Sequence, residues 1–174
     1  RRVEAVATHD ILGALADGGW DRAVVALSGD VGMFSGAKGL AARLRSELAD
    51  VEVVTVPGIS SMQCLAAALE RPWQGWRFAS AHGIACDVVE LARDAAELFL
   101  VTGGDNTVCV LCERLARAGL GDARVSVGER LGYPEQRVVI STAGELTGVD
   151  FDQLSVMLVE APKTPADTAE VTWP

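Results

Sequence analysis

The sequence lacks the features that would place it at a membrane or on nucleic acid. It has no apolar run near the ~20 residues that a transmembrane helix needs, and its first residues show no signal-peptide pattern. Basic residues are scarce, since 15 Lys and Arg against 24 Asp and Glu give a net charge of −9. We therefore expect a cytoplasmic protein that contacts neither a membrane nor nucleic acid.

Cysteine and histidine are also few, with four and two residues. Cys109 and Cys112 form a C-x-x-C pair, but the pair lies inside an apolar helical pattern and no second pair follows at zinc spacing. Cys64 and Cys86 likewise have apolar neighbours. The pattern predicts reduced, packed thiols and no metal site.

What is present is the composition of a globular protein, with 49% hydrophobic residues in a chain of 174. Strand-length apolar segments alternate with helical patterns, which predicts an α/β fold with a largely parallel sheet and antiparallel strands near the end. Helices are predicted over 36–49, from Ser60, and over 107–118 with Asn106 as cap and Gly119 as stop. The predicted strands are 23–28, 51–56, 77–80, 97–102, 123–128, 136–142 and 154–160.

Proline and glycine interrupt the pattern once between two similar blocks, in the segment RPWQGW at 71–76. This linker predicts an N-terminal α/β domain over 1–72 and a C-terminal α/β domain over 73–160. The segment 161–174 has no apolar period and is predicted to be a tail or an arm between subunits.

A glycine-rich loop, LSGDVGMFSG, follows the first predicted strand at 27–36. Such loops usually hold phosphate, but this one has neither the Gly-Lys-Ser/Thr ending nor the G-x-G-x-x-G spacing. Its Asp30 would repel phosphate. The loop therefore favours a ligand with ribose hydroxyls, an amino group or a sulfonium.

Two later loops repeat this design. VPGISSM contains Ser60 and Ser61 after a Pro-Gly turn, although these serines could simply cap a helix. LVTGGDNT contains Thr102, Asn106 and Thr107, and SAHG places His82 after a further strand, where histidines are often merely solvated. If the strands are parallel, these loops converge on one rim and form a crevice for a polar organic cofactor.

These segments, together with ERLGYPEQ and LSVMLVE, resemble the tetrapyrrole methylases over about 23–160. Within that family, PGISS, HG, DNT and ERLGYPEQ resemble the branch of cobalamin biosynthesis that methylates precorrin-6Y, or cobalt-precorrin-7, at C5. The resemblance implies two α/β domains with mixed sheets and a methyltransferase that uses S-adenosylmethionine. It also implies a homodimer, and a partner or fused domain that carries out the decarboxylating C15 methylation.

The resemblance further implies which residues form the site. His82 would assist a base, and Arg130, Asn106 and Thr107 would contact the corrinoid substrate, although Arg130 could instead pair with Glu129 or Glu135. The residues implied to bind the cofactor are Ser28, Gly29, Asp30, Met33, Ser60, Ser61, Thr102, Leu131 and Ser155.

Two positions depart from the family pattern. Val31 replaces the proline of the usual Gly-Asp-Pro, and the first strand with its glycine-rich loop is not found before Arg1. The N-terminal domain is therefore expected to be incomplete. The alternatives are a methylase acting at another tetrapyrrole position, an RNA- or protein-directed methylase, and a subunit that binds the cofactor without catalysis.

Overall fold

The computed structural model describes residue 4 and residues 7–48 and 50–161. The chain divides into two compact units, Arg1–Ser60 and Ser61–Pro174. The domain boundary at residue 72 stays a prediction, since compactness alone does not identify independently folding domains. The predicted tail lies almost entirely outside the described residues.

The first unit contains two helices, α1 (Thr8–Ala16) and α2 (Ala37–Glu47). Leu12 of α1 packs with Leu40 and Leu44 of α2, which lie four residues apart on one helix face. The polar face of α2 carries an ion pair of Arg43 with Glu47 one turn later, at 2.7 Å. The predicted helix over 36–49 is confirmed, whereas α1 was not predicted.

The two strands predicted in this unit, 23–28 and 51–56, are wrong. Neither segment joins a hydrogen-bonded ladder among the described residues. Their apolar side chains are not covered either, since Val24 is 95% exposed and Val54 and Val56 are each 74% exposed. An apolar segment becomes a strand only when a neighbouring strand satisfies its backbone groups, and hydrophobicity alone does not supply that neighbour.

The second unit is a five-stranded mixed sheet with helices on both faces. Its strands are β1 (Arg77–Ser80), β2 (Glu97–Val101), β3 (Arg124–Glu129), β4 (Arg137–Thr142) and β5 (Ser155–Glu160). Its helices are α3 (Ser61–Ala68), α4 (Val88–Arg93) and α5 (Val108–Leu115), the last followed by a π-helical turn at Ala116–Leu120. All five strands agree with the predicted ones to within one residue.

The strand order is β1-β2-β5-β3-β4, and only the pair of β1 with β2 is parallel. The expectation of a largely parallel sheet is therefore wrong, whereas the expected antiparallel ending and the mixed α/β class are confirmed. The cause is β5, which enters between β2 and β3 and runs opposite to both. As a result the C-terminal ends of β1, β2 and β3 lie at the same edge as the start of β5.

The strands bury alternate side chains on opposite faces of the sheet. On one face, Leu98, Val125 and Met157 are fully buried together with Leu111 and Leu115 of α5. On the other, Phe99 stacks against Trp76 with ring centroids 6.0 Å apart. The sheet thus forms the core of the second unit, and the loops that follow β1, β2 and β3 lie at one of its edges.

The cap of α5 differs from the predicted one. Thr107, not Asn106, occupies the N-cap, and its hydroxyl accepts a hydrogen bond from the Val110 N–H at 3.4 Å. Asn106 is buried instead, and its side-chain amide donates hydrogen bonds to main-chain carbonyls of the loop after β1. Gly119 has φ 81°, a left-handed conformation that glycine adopts at low cost, where the helical segment ends.

We expect Thr107→Ala to lower the free energy of unfolding by about 1 kcal/mol, because the first turn of α5 loses its cap. Thr107→Ser keeps the hydroxyl and serves as the control. Urea denaturation measures both variants. Equal stability of Thr107→Ala and the parent chain would contradict the assignment of this cap.

Candidate functional site

The glycine-rich loop of the first unit is fastened to the Pro-Gly turn by Asp30. One oxygen of its carboxylate accepts the Gly32 N–H at 2.8 Å, and the other accepts the Gly58 N–H at 3.1 Å. The loop and the turn, separated along the chain by the whole of α2, therefore meet at this carboxylate. A carboxylate offers about four acceptor positions, so Asp30 can still accept a further donor from a ligand.

Gly29 and Gly58 are required by this approach of the two backbones. A Cβ at Gly58 would overlap the carbonyl oxygen of Gly29, and Gly29 itself has φ 73°. Ser60 follows the turn and is 3% exposed, whereas Ser28 is exposed. The Met33 N–H donates to the Asp30 carbonyl at 3.2 Å. The first unit therefore brings Gly29, Asp30, Met33 and Ser60 into one place, whereas Ser61 is the first residue of α3 in the second unit.

Gly58→Ala should force the loop and the turn apart and lower the free energy of unfolding by roughly 1–3 kcal/mol. Gly39→Ala is the matched control, because a Cβ there meets nothing within 4 Å. It replaces a glycine inside α2 and should stabilise the chain by up to about 1 kcal/mol. Thermal unfolding compares the two, and equal effects in the two variants would contradict the close approach.

At one edge of the sheet in the second unit, Thr102 and Ser155 meet. The Thr102 hydroxyl donates to the Ser155 carbonyl at 2.6 Å, and the Ser155 hydroxyl donates to the Asp152 carbonyl at 2.6 Å. Both residues are nearly fully buried, at 3% and 4% exposed. These bonds join the end of β2 to the start of β5, and they hold the main chain in place at this edge of the sheet.

His82 lies beside this pair, two residues beyond the end of β1. Its Nδ1 is 3.1 Å from the Thr102 carbonyl oxygen, which can only accept, so Nδ1 carries the proton. The lone pair on Nε2 is then available for a proton. Gly103, with φ 144°, leaves space for the ring, because a Cβ there would overlap His82 Nδ1.

We expect Gly103→Ala to displace the His82 ring and to cost roughly 1–3 kcal/mol of stability, because the backbone conformation also disfavours a side chain. Gly104→Ala is the control: with φ 62° it also strains the backbone, but its Cβ would meet only ordinary contacts with Gly83 at 3.7–3.8 Å and would not touch the His82 ring. The ring resonances of His82 in an NMR spectrum should shift in the first variant alone. A His82 spectrum unchanged by Gly103→Ala would contradict the packing.

Leu131 and Arg130 follow β3 at the same edge. The Arg130 N–H donates to the Leu154 carbonyl at 2.9 Å, and its guanidinium donates to Asp152 at 2.9 Å. Arg130 also lies 3.9 Å from Glu135, so one of the two alternative partners is confirmed. Glu129 pairs with Arg137 instead, at 2.6 Å.

Two carboxylates of this network are held ionised. The Leu154 main-chain N–H and the Arg130 guanidinium lower the pKa of Asp152. Burial opposes the ionisation of Glu129, but hydrogen bonds from the Asp152 N–H and Arg137 outweigh it and lower the pKa of that carboxyl. Acid must therefore protonate both groups before the segment around Arg130 loosens.

The DNT segment is tied to the loop after β1. The Asn106 amide donates to the carbonyls of Ala81 and Ile84, both at 2.9 Å, and its oxygen accepts from Arg114 at 3.0 Å. Arg114 was missed in the sequence, because it lies within the apolar pattern of α5 and belongs to no motif. Gly103 and Asp152 were also missed, since only the fold shows what they contact.

The C-x-x-C pair lies on α5. Burial raises the pKa of the Cys112 thiol to about 12, whereas Cys109 accepts a hydrogen bond from the Gly148 N–H at 3.2 Å. All four cysteines are free thiols. Within the described residues, no three His, Cys, Asp or Glu side chains form a group suited to a metal ion.

A family model, Tetrapyrrole (Corrin/Porphyrin) Methylases, matches residues 4–147. The chain therefore belongs to the tetrapyrrole methylase family, whose members are methyltransferases that use S-adenosylmethionine. No curated protein gives a significant match. None of the helices in the described part of the chain has the length and apolar character needed to cross a bilayer.

Solved structures share the fold. The methyltransferase CobJ is 21% identical with a TM-score of 0.66, over 88% of this chain and 70% of that one. Uroporphyrin-III C-methyltransferase from Thermus thermophilus, in complex with S-adenosyl homocysteine, is 22% identical with a TM-score of 0.60, over 76% and 62%. Precorrin-6Y methylase from Archaeoglobus fulgidus is 24% identical with a TM-score of 0.53, over 78% and 60%. The chain thus spans 60–70% of the length of these solved relatives.

Proposed function

We propose that this protein transfers a methyl group from S-adenosylmethionine to C5 of precorrin-6Y or cobalt-precorrin-7. The observation that carries the proposal is the edge of the sheet in the second unit. There the predicted cofactor residues Thr102 and Ser155 are joined by a hydrogen bond of 2.6 Å, with His82 bonded to the same threonine. Ligands of α/β proteins gather where strands end in this way.

The chemistry of these residues fits the cofactor. S-adenosylmethionine supplies an activated methyl group on a sulfonium and carries no phosphate. The edge correspondingly presents main chain that the Thr102 and Ser155 hydroxyls hold in place, and the loop of the first unit offers the carboxylate of Asp30. Ser28, Gly29, Met33, Ser60, Ser61 and Leu131 complete the residues that we propose contact the cofactor.

The acceptor is proposed from local sequence. The segments HG, DNT and ERLGYPEQ resemble the branch that methylates at C5, and the fold is similar to that of a precorrin-6Y methylase. The net charge of −9 disfavours RNA as an acceptor. A homodimer and a partner for the C15 reaction stay predictions.

His82 is the residue that we propose receives a proton. The Thr102 carbonyl fixes its tautomer, so Nε2 presents a lone pair while Nδ1 stays protonated. Methyl transfer to carbon requires the nucleophile in line with the methyl group, so holding the acceptor matters more for rate than acid–base assistance. His82 would take the proton that leaves as the ring system readjusts.

Arg130 is proposed to meet a carboxylate of the macrocycle. Its guanidinium is held by Asp152 at 2.9 Å and lies over the Tyr133 ring, with the guanidinium carbon 5.4 Å from the ring centroid. A planar guanidinium has five donors, so the hydrogen bond to Asp152 and the longer contact with Glu135 leave others for substrate. Asn106 and Thr107 would position the substrate indirectly, because Asn106 holds the loop after β1 and Thr107 caps α5.

Isothermal titration with S-adenosylhomocysteine tests the cofactor half of the proposal. We expect the parent chain to bind it, and Asp30→Ala to weaken binding about tenfold or more, because a hydrogen-bonding carboxylate and its grip on the Pro-Gly turn are lost. Asp30→Asn should lose less, since one acceptor oxygen is kept.

Asp21→Ala is the control, because it removes the same charge from an exposed position of the same unit. Its affinity should equal that of the parent chain. A folded parent chain that gives no heat with S-adenosylhomocysteine would contradict the proposed function. Equal weakening by Asp21→Ala and Asp30→Ala would contradict the assignment of the loop.

A further inference from the structure

The second unit has an open cavity of about 880 Å³ beside the loop that follows His82. Its wall is formed by the loop after β1, the start of α4, the DNT segment and one side chain of α5. The residues that matter here are Gly83, Ile84, Cys86, Asp87, Asn106 and Arg114. No residue of the proposed cofactor set lines this cavity.

Arg114 supplies the cation in this cavity, and no carboxylate in the described residues pairs with it. Of the seven other arginines of the second unit, Arg93 bonds the Ala118 carbonyl and six form salt bridges with carboxylates: Arg71, Arg77, Arg117, Arg124, Arg130 and Arg137. The guanidinium of Arg114 is held instead by neutral oxygens, at 3.0 Å from Asn106 Oδ1 and 3.5 Å from the Cys86 carbonyl. Its charge is therefore uncompensated by a direct partner.

Arg114 is held by a buried, fully hydrogen-bonded side chain, that of Asn106. Asn106 is 8% exposed, and both hydrogen bonds of its amide nitrogen go to main-chain carbonyls, those of Ala81 and Ile84. The amide oxygen is thereby aimed at Arg114. Both described bonds of the guanidinium use Nη1, so its other donors are available to a ligand.

The remaining lining limits the kind of ligand. Asp87 and Asp105 also line the cavity, although one oxygen of Asp87 already accepts the Glu90 N–H as the cap of α4. Two acids beside one cation disfavour a doubly charged phosphate more strongly than a singly charged carboxylate. Ile84 is 56% exposed and offers an apolar wall. A single carboxylate on an apolar body fits this combination.

We propose that Arg114 binds one peripheral carboxylate of the macrocyclic substrate, with Asn106 as its positioning residue. This inference rests on the proposed function, because it takes the ligand to be an acidic tetrapyrrole. The guanidinium forms a charge-assisted, two-pronged contact with the carboxylate, while Ile84 covers the adjacent apolar part. Arg114 therefore contributes to choosing acidic macrocycles over their amides.

The test is titration of the full chain with two corrins. Cobyrinic acid has free peripheral carboxylates, whereas in cobinamide these positions are amides. We expect the parent chain to bind cobyrinic acid more tightly. Arg114→Gln should weaken cobyrinic acid about tenfold, from the loss of hydrogen bonds to a charged group, and leave cobinamide unchanged. Arg114→Lys, which keeps the charge but not the fork, should lose less.

Arg117→Gln is the matched control, because it removes the same charge three residues further on and its partner is Glu113. Equal weakening by Arg117→Gln, or no weakening by Arg114→Gln or Arg114→Lys in folded protein, would overturn the inference. So would a parent chain that binds the two corrins equally. Titration with S-adenosylhomocysteine distinguishes failure of the two proposals. If S-adenosylhomocysteine does not bind the parent chain, the proposed function is overturned. The difference in affinity between the two corrins still tests whether Arg114 binds a carboxylate.

Discussion

The structure of the second unit depends on β5, the last of the described strands, which lies between β2 and β3. From Ser155 to Val159 every residue of β5 is buried, and the strand makes ladders with both neighbours. The sheet is therefore not continuous until β5 has joined it, and most of its pairings are between segments distant in sequence. Because β5 runs opposite to β2 and β3, it also brings Ser155 to the edge where those strands end.

That edge is held together mainly by hydrogen bonds to main-chain oxygens. Thr102 bonds the Ser155 carbonyl, His82 bonds the Thr102 carbonyl, and Asn106 bonds two carbonyls of the loop after β1. Through such bonds, short polar side chains hold the loops in place, and no charged side chain is needed for that purpose. Arginines enter the described edge at two points, in the Arg130 network after β3 and at Arg114, where Asp87 and Asp105 line the same cavity. We therefore propose that the main chain of this edge contacts the adenosyl part of the cofactor, and that the arginines contact the carboxylates of an acidic acceptor.

Much of the second unit could be predicted from sequence, because each of its strands is an apolar run bounded by turns and each finds a neighbour within the same chain. The strands at 23–28 and 51–56 failed for the opposite reason, since a pattern records a preference for a strand but not the presence of a partner. The site divides in a similar way. Asp30 and Ser60 stood in recognisable strand–turn–helix signatures, whereas Gly103 and Arg114 matter only through contacts that the fold creates. Asn106 was expected at the helix cap because asparagine favours that position. Its side chain is instead buried and hydrogen-bonded to two main-chain carbonyls, and Thr107 caps the helix.

The central claim is the transfer of a methyl group to one carbon of a corrinoid precursor. The most direct measurement is incubation of the chain with precorrin-6Y and S-adenosylmethionine carrying a ¹³C-labelled methyl group, followed by NMR of the product. The account predicts a single new labelled methyl group, attached at C5. A label on another carbon of the macrocycle would contradict the proposed acceptor position. The absence of any label, from a folded chain that binds S-adenosylhomocysteine, would contradict the claim of catalysis itself.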